Sequence, residues 1–262
     1  MNRLDLWETI PPRPALKTDF VPFMELYPIE TDKPLGAVLI CPGGAYHHRS
    51  AHEGEIIARK FNETGLHAFV VQYRITPDRH PAPLEDAVRA LKIIRFNAAK
   101  WKVKPNKIAI CGFSAGGHLA GTVGLYHNKT TLSCDEIDKM PSRPDALIFS
   151  YPVLTSGMFT HKDSFKNLLG ENLPQKNLEL LSLENNVTKD VPPSFLWHTA
   201  NDEGVPVETS LLFAIELSKH KVPFELHIYP DGMHGLGLAT ELSRVVTWFG
   251  LCREWLRSMG WQ

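Results

Sequence analysis

A serine, a carboxylate and a histidine can together transfer an acyl group, and in this chain Ser114, Asp202 and His234 are the candidates. Ser114 is the centre of Gly112-Phe113-Ser114-Ala115-Gly116, which fits the pattern G-x-S-x-G. A serine hydroxyl attacks a carbonyl only when a base takes its proton and a third group orients that base. The pentapeptide alone also describes an ordinary strand-to-helix turn capped by a serine. Its surroundings favour a nucleophile: the strand-like KIAICGF precedes Ser114 and the helix-like AGGHLAGTVGLYH follows it. In such an elbow the strand and helix backbones come too close for side chains, hence glycine at 112 and 116, and the serine is held under strain.

Asp202 follows the strand-like SFLWHTA, and His234 follows the strand-like FELHIYP. Both are expected at carboxyl ends of strands, on the edge that carries Ser114, and the order serine, acid, histidine is the one that chemistry on an α/β sheet uses. The rivals fit less well. Glu203 neighbours Asp202 on a turn and should point elsewhere; Asp231 is too near His234 in sequence; His227 falls inside a strand; His118 is expected to brace the elbow. The tetrahedral intermediate also needs N–H donors. One is expected from Ala115, and others from Gly44 and Ala45 in the loop Cys41-Pro42-Gly43-Gly44-Ala45-Tyr46. That loop also reads as a tight glycine turn, but it lacks both phosphate-binding patterns, G-x-x-x-x-G-K-[ST] and G-x-G-x-x-G. Tyr46 and His47 are expected to contact substrate. His47, His48, His52, Glu53 and Glu55 crowd together without any metal-ligand spacing such as H-E-x-x-H, so a polar loop lining the site is expected, with no metal and no cofactor.

The elements that must position these residues are legible as alternation. Residues 37–44, 67–73, 107–114, 145–153, 194–200 and 224–232 read as strands, and their near-continuous apolar runs suit a parallel sheet covered on both faces. Residues 53–64, 83–100, 116–127, 207–220 and 240–258 read as helices. The pattern predicts an α/β fold with a doubly wound, mostly parallel sheet. Two segments break the rhythm. Residues 1–35 carry six prolines and one or two expected antiparallel strands. Residues 155–191 read as a small cap-like insertion with weak helices, lying over the strand carboxyl ends where open α/β sheets bind ligands. One domain spanning 1–262 is expected. Met158, Phe159 and Phe165 of the insertion either touch substrate or anchor the insertion.

The composition excludes several classes. With 28 basic and 29 acidic residues and a formal net charge of -1, neither nucleic acid nor an anionic membrane surface is the expected partner. No apolar run is long enough to cross a bilayer, and the N-terminus has no secretory apolar core, so a cytoplasmic protein is expected. Cys41, Cys111, Cys134 and Cys252 have no C-x-x-C spacing, and Cys41 and Cys111 read as buried free thiols. An apolar edge on the last helix, including Val245, Trp248, Phe249 and Leu251, suits either a dimer contact or a face packed on the sheet, so an oligomer is left open.

PGGAYHHRSAHEGE, Tyr73-Arg74, GFSAGGHLA, PPSFLWHTANDEGVPVETS and ELHIYPDGMHGLGLA together resemble the bacterial α/β-hydrolase carbohydrate esterases described as acetyl xylan esterase-like, relatives of the hormone-sensitive-lipase-type esterases. The resemblance runs from about residue 34 to the last helix. It implies an α/β-hydrolase fold, Ser114 as nucleophile, Asp202 as acid, His234 as base and the 43–45 loop as oxyanion site, with Ala45 where relatives often have a third glycine. It further implies a small-molecule ester substrate, with acetyl or another short acyl group removed from an acylated sugar such as an acetylated xylo-oligosaccharide. A broad short-chain carboxylesterase and an aryl formamidase would use the same residues. A peptidase lacks the gating domain here, and a non-catalytic binding module would usually have lost one of the three residues.

Overall fold

The computed structural model describes residues 2–8, 18–127 and 135–261; Cys134 and the prolines at 11, 12 and 14 lie outside the described residues. The strands are β1 (Asn2–Asp5), β2 (Phe23–Tyr27), β3 (Leu35–Cys41), β4 (His67–Gln72), β5 (Val103–Phe113), β6 (Ala146–Ser150), β7 (Ser194–Thr199) and β8 (Phe224–Tyr229). They form one sheet in the order β1-β2-β4-β3-β5-β6-β7-β8. The first two run antiparallel, as the proline-rich start suggested, and the other six are parallel.

Alternation along β3 shows why its sequence is apolar throughout. Val38 and Ile40 face a core that includes Ile57 and Phe61 of α1 (Glu55–Asn62) and Trp248, Cys252 and Leu256 of α8 (Thr247–Ser258). Ala37, Leu39 and Cys41 face the opposite core, with Leu91 of α2 (Ala82–Phe96), Leu119 of α4 (Ala115–Tyr126) and Phe213 of α7 (Glu208–Lys219). Both faces of the sheet are therefore covered, and a strand buried on both sides has no polar face to alternate with. Cys41, Cys111 and Cys252 are buried free thiols. Among the described residues no helix is long and apolar enough to cross a membrane.

Two expected helices are interrupted. The segment read as 83–100 ends at Phe96 and resumes as the short α3 (Ala98–Trp101) after Asn97 leaves helical geometry at ψ 10°. The segment read as 240–258 becomes helical only at Thr247, because Ala239 takes a left-handed φ of 56° and the chain passes through successive turns to Val246. Val245, Trp248 and Phe249 pack on the sheet, while Leu251 is exposed. Between β6 and β7 the insertion carries α5 (Lys162–Leu169) and α6 (Gln175–Leu181). It rests on the α4 side of the sheet through Phe165, Leu168, Leu181 and Leu183. It also reaches the strand ends, where Asn167 Nδ2 donates to the Ala45 carbonyl at 2.9 Å.

Candidate active site

β5 delivers Ser114 at its carboxyl end, directly before the first residue of α4. Ser114 has φ 53° and ψ -118°, a left-handed conformation that is strained for any residue with a Cβ. The surrounding backbone fixes it: Ser114 N–H donates to Ser150 O at 3.0 Å, and Ser114 O accepts from Val153 N–H at 3.1 Å. The flanking glycines are needed for close approach. A Cβ on Gly112 would stand 2.1 Å from Gly116 O, and one on Gly116 would stand 2.0 Å from Cys41 O.

β7 and β8 deliver the other two residues to the same edge. His234 Nε2 lies 2.7 Å from Ser114 Oγ, and His234 Nδ1 lies 2.8 Å from Asp202 Oδ2. The carboxylate fixes the tautomer, with the proton on Nδ1 and a free lone pair on Nε2 for the serine. The Asp202 side chain is fully buried. Its Oδ1 accepts from Gly204 N–H at 2.8 Å and Val205 N–H at 2.9 Å. Burial opposes the charge, but hydrogen bonds from His198, His234 and the Val205 N–H outweigh it and hold the carboxyl well below the ordinary carboxylate range. Glu203 and Asp231, the sequence rivals, are exposed.

His198 is a contributor that the sequence did not reveal. It is wholly buried on β7, its Nδ1 bonded to Ser210 Oγ at 2.8 Å. Its Nε2–H donates to Val205 O at 2.9 Å and stands 3.3 Å from Asp202 Oδ2. It therefore supports the same carboxylate oxygen that His234 Nδ1 contacts.

The loop after β3 closes over Ser114. Gly44, Ala45 and Tyr46 all have positive φ, of 116°, 54° and 57°. Gly44 and Ala45 line the pocket with Ser114, and the N–H of Ala115 opens α4, where helix N–H groups have no intrahelical acceptor. The neighbouring Gly43 N–H is committed to Glu53 Oε2 at 2.7 Å. Glu53 is 2% exposed and also accepts from Tyr151 Oη at 2.6 Å. Tyr151 Oη in turn accepts from Gly237 N–H at 2.8 Å, and its ring lies edge-on to His234 with centroids 5.0 Å apart. One buried carboxylate thus ties the Gly43–Ala45 loop to the loop that carries His234. Its neighbour His52 donates from Nε2 to Gly235 O at 2.8 Å. These residues read in sequence as a possible ligand cluster; among the described residues no group of three such side chains is arranged to hold a metal.

The pocket over Ser114 has a volume of about 230 Å³, and its remaining walls come from His48, Ser50, His161 and Gly235. Two expected substrate contacts are corrected. The left-handed turn at Tyr46 sends its side chain into the core, 2% exposed, where its hydroxyl donates to His118 Nδ1 at 2.8 Å. His47 is exposed outside the lining, and His48 takes the place on the wall. Nor do the insertion's apolar residues line it: Met158 is 91% exposed, and Phe165 is buried against His118 with centroids 5.2 Å apart. The insertion contributes His161 instead.

His118 braces the elbow, its Nε2–H donating to Leu181 O of the insertion at 2.9 Å. Burial lowers its pKa to about 4. An unfolded chain takes up a proton near pH ~6.5 that the buried ring refuses. Stability should therefore fall as pH drops from about 6.5 to about 4, by up to ~3 kcal/mol for this group, and not further below. Denaturant unfolding at both ends of that window checks it. A His118→Gln variant should lose less stability than the native chain across the window; equal losses would contradict the assignment.

The BD-FAE family model matches residues 24–217. The chain is 39% identical over 226 residues to "Endo-1,4-beta-xylanase B" of Butyrivibrio fibrisolvens, covering 85% of this chain and 36% of that protein. It is 31% identical over 236 residues to "Acetylxylan esterase" of Xylanibacter ruminicola, covering 87% of this chain and 45% of that one. The chain thus spans less than half the length of these two relatives. Among solved structures, the acetyl ester-xyloside bifunctional hydrolase of Caldicellulosiruptor lactoaceticus superposes with a TM-score of 0.95 at 43% identity, over 99% of this chain and 97% of that one. The fold is that of the α/β hydrolases. The chain belongs to the BD-FAE family of α/β-hydrolase esterases.

Proposed function

We propose that this chain hydrolyses acetyl or other short acyl esters of sugars, such as acetylated xylo-oligosaccharides, with Ser114 as nucleophile, His234 as base and Asp202 as its orienting acid. The observation that carries the reading is the continuous hydrogen-bond chain Asp202–His234–Ser114, at 2.8 and 2.7 Å, opening into a small pocket. Ser114 Oγ attacks the ester carbonyl as His234 Nε2 takes its proton, and Asp202 stabilises the imidazolium. The N–H groups of Gly44, Ala45 and Ala115 receive the negative oxygen, at the positive end of α4. Collapse of the intermediate breaks the ester C–O bond, and His234 returns the proton to the leaving alcohol. Water, deprotonated by His234, then releases the acid from Ser114. No cofactor enters this scheme. Residues 155–191 act as a small cap on a single domain.

The acyl group is short on this reading. About 230 Å³ is below the roughly 300–1,000 Å³ of pockets that enclose drug-sized ligands. The sugar half rests on the acetyl ester and xylan names of the relatives. Measured kcat/KM values for acetylated xylo-oligosaccharides, feruloyl esters, 4-nitrophenyl butyrate and an aryl formamide test it. The acetylated sugars should lead. A lead for the butyrate or the formamide would leave an ester or amide hydrolase without the sugar assignment.

A further inference from the structure

The insertion brings to the pocket a donor that the mechanism above does not use. His161 caps α5, and its Nδ1 accepts from Ser164 Oγ at 2.8 Å and from Ser164 N–H at 3.4 Å. Ser164 is buried, so this contact is sheltered and the ring proton sits on Nε2. Burial and the nearby His234 both disfavour a charged ring, so His161 stands as a neutral donor. It shares the pocket lining with Ser114, His234, His48 and Ser50.

The chemistry of an acetyl ester decides what this donor can meet. The acyl side offers only its carbonyl oxygen, which the Gly44, Ala45 and Ala115 N–H groups receive, and a methyl that accepts nothing. Any further acceptor must lie on the alcohol. We propose that His161 Nε2–H donates to a sugar hydroxyl next to the acetylated oxygen, so that the pocket selects polyhydroxy alcohols over other acetates. This rests on the ester-hydrolase reading above.

Two substrates with the same acyl group test it, singly acetylated xylobiose and 4-nitrophenyl acetate, the latter having no vicinal hydroxyl. The readout is the ratio of kcat/KM for the sugar ester to that for the aryl ester. In His161→Leu, which cannot donate, the ratio should fall about tenfold, and in His161→Gln, whose amide can still donate, most of it should return. Melting temperatures show whether each variant folds. A ratio unchanged in a folded His161→Leu, or both rates falling together in both variants, would overturn the proposal while leaving the ester reading intact. A native chain that cleaves the aryl acetate but not acetylated xylobiose would overturn the sugar assignment and this inference together.

Discussion

Asp202→Asn should lower kcat by about 10⁴-fold on any ester while leaving the fold intact. The reason lies in how the carboxylate is held. Oδ1 faces two backbone N–H groups, from Gly204 and Val205, and these will accept only an oxygen opposite them. The asparagine amide nitrogen is therefore directed to the Oδ2 side, 2.8 Å from His234 Nδ1, because two donors oppose it at Oδ1 and one, His198 Nε2–H at 3.3 Å, at Oδ2. An NH₂ there makes Nδ1 an acceptor and moves the ring proton to Nε2. Nε2 then donates to Ser114 Oγ instead of accepting from it, and the base is lost without any change in shape. Steady-state kinetics with 4-nitrophenyl acetate, beside a melting curve, measure both halves of this statement. A variant within tenfold of the native rate would show that Asp202 does not set the tautomer.

Gly116→Ala should cost ~3 kcal/mol or more of stability, a large effect for one methyl group. Its Cβ would stand 2.0 Å from Cys41 O and 2.6 Å from Pro42 O. Both atoms are backbone, one of them at the end of the buried strand β3, so no flexible side chain can yield. Relief requires α4 to part from β3, which moves Ser114 away from Gly44 and Ala45, so activity should fall with stability. Gly250→Ala is the matched control: it lies in α8 with nothing within 4 Å of the added Cβ. There alanine should stabilise by up to ~1 kcal/mol through helix propensity. Thermal or denaturant unfolding of the two variants, read side by side, separates a clash from a generic glycine effect. Equal stability of Gly116→Ala and the native chain would contradict the tight elbow.

What the sequence made legible was whatever is written locally. Ser114, Asp202 and His234 each follow the carboxyl end of a strand, β5, β7 and β8, and a parallel sheet brings all such ends to one edge, so their meeting followed from order and periodicity. Glycine at 112 and 116 carried the elbow for the same local reason. Tyr46 was misplaced because a left-handed φ of 57° turns its side chain inward, and no residue type at 46 announces that turn. Glu53 stayed hidden because its partner Tyr151 is 98 positions away, and His161 because only the fold brings the insertion to the pocket that holds Ser114. His198, inside an apolar strand, reads as core until its ring is seen 3.3 Å from Asp202. A charged residue in a polar loop looks solvated until the fold covers it. The shortened last helix has a similar origin, since the loop between His234 and Thr247 is shaped by its contacts to Tyr151, Trp248 and His52 rather than by helix propensity.

The most direct measurement of the central claim is covalent. A fluorophosphonate reports an activated serine by bonding to it, and peptide mapping locates the adduct. Labelling should place a single phosphonyl group on Ser114, with hydrolysis of acetylated xylo-oligosaccharides lost in proportion to the label, and Ser114→Ala should be both unlabelled and inactive. Activity that survives full labelling of Ser114, or a Ser114→Ala variant that still releases acetate at the native rate, would contradict the account.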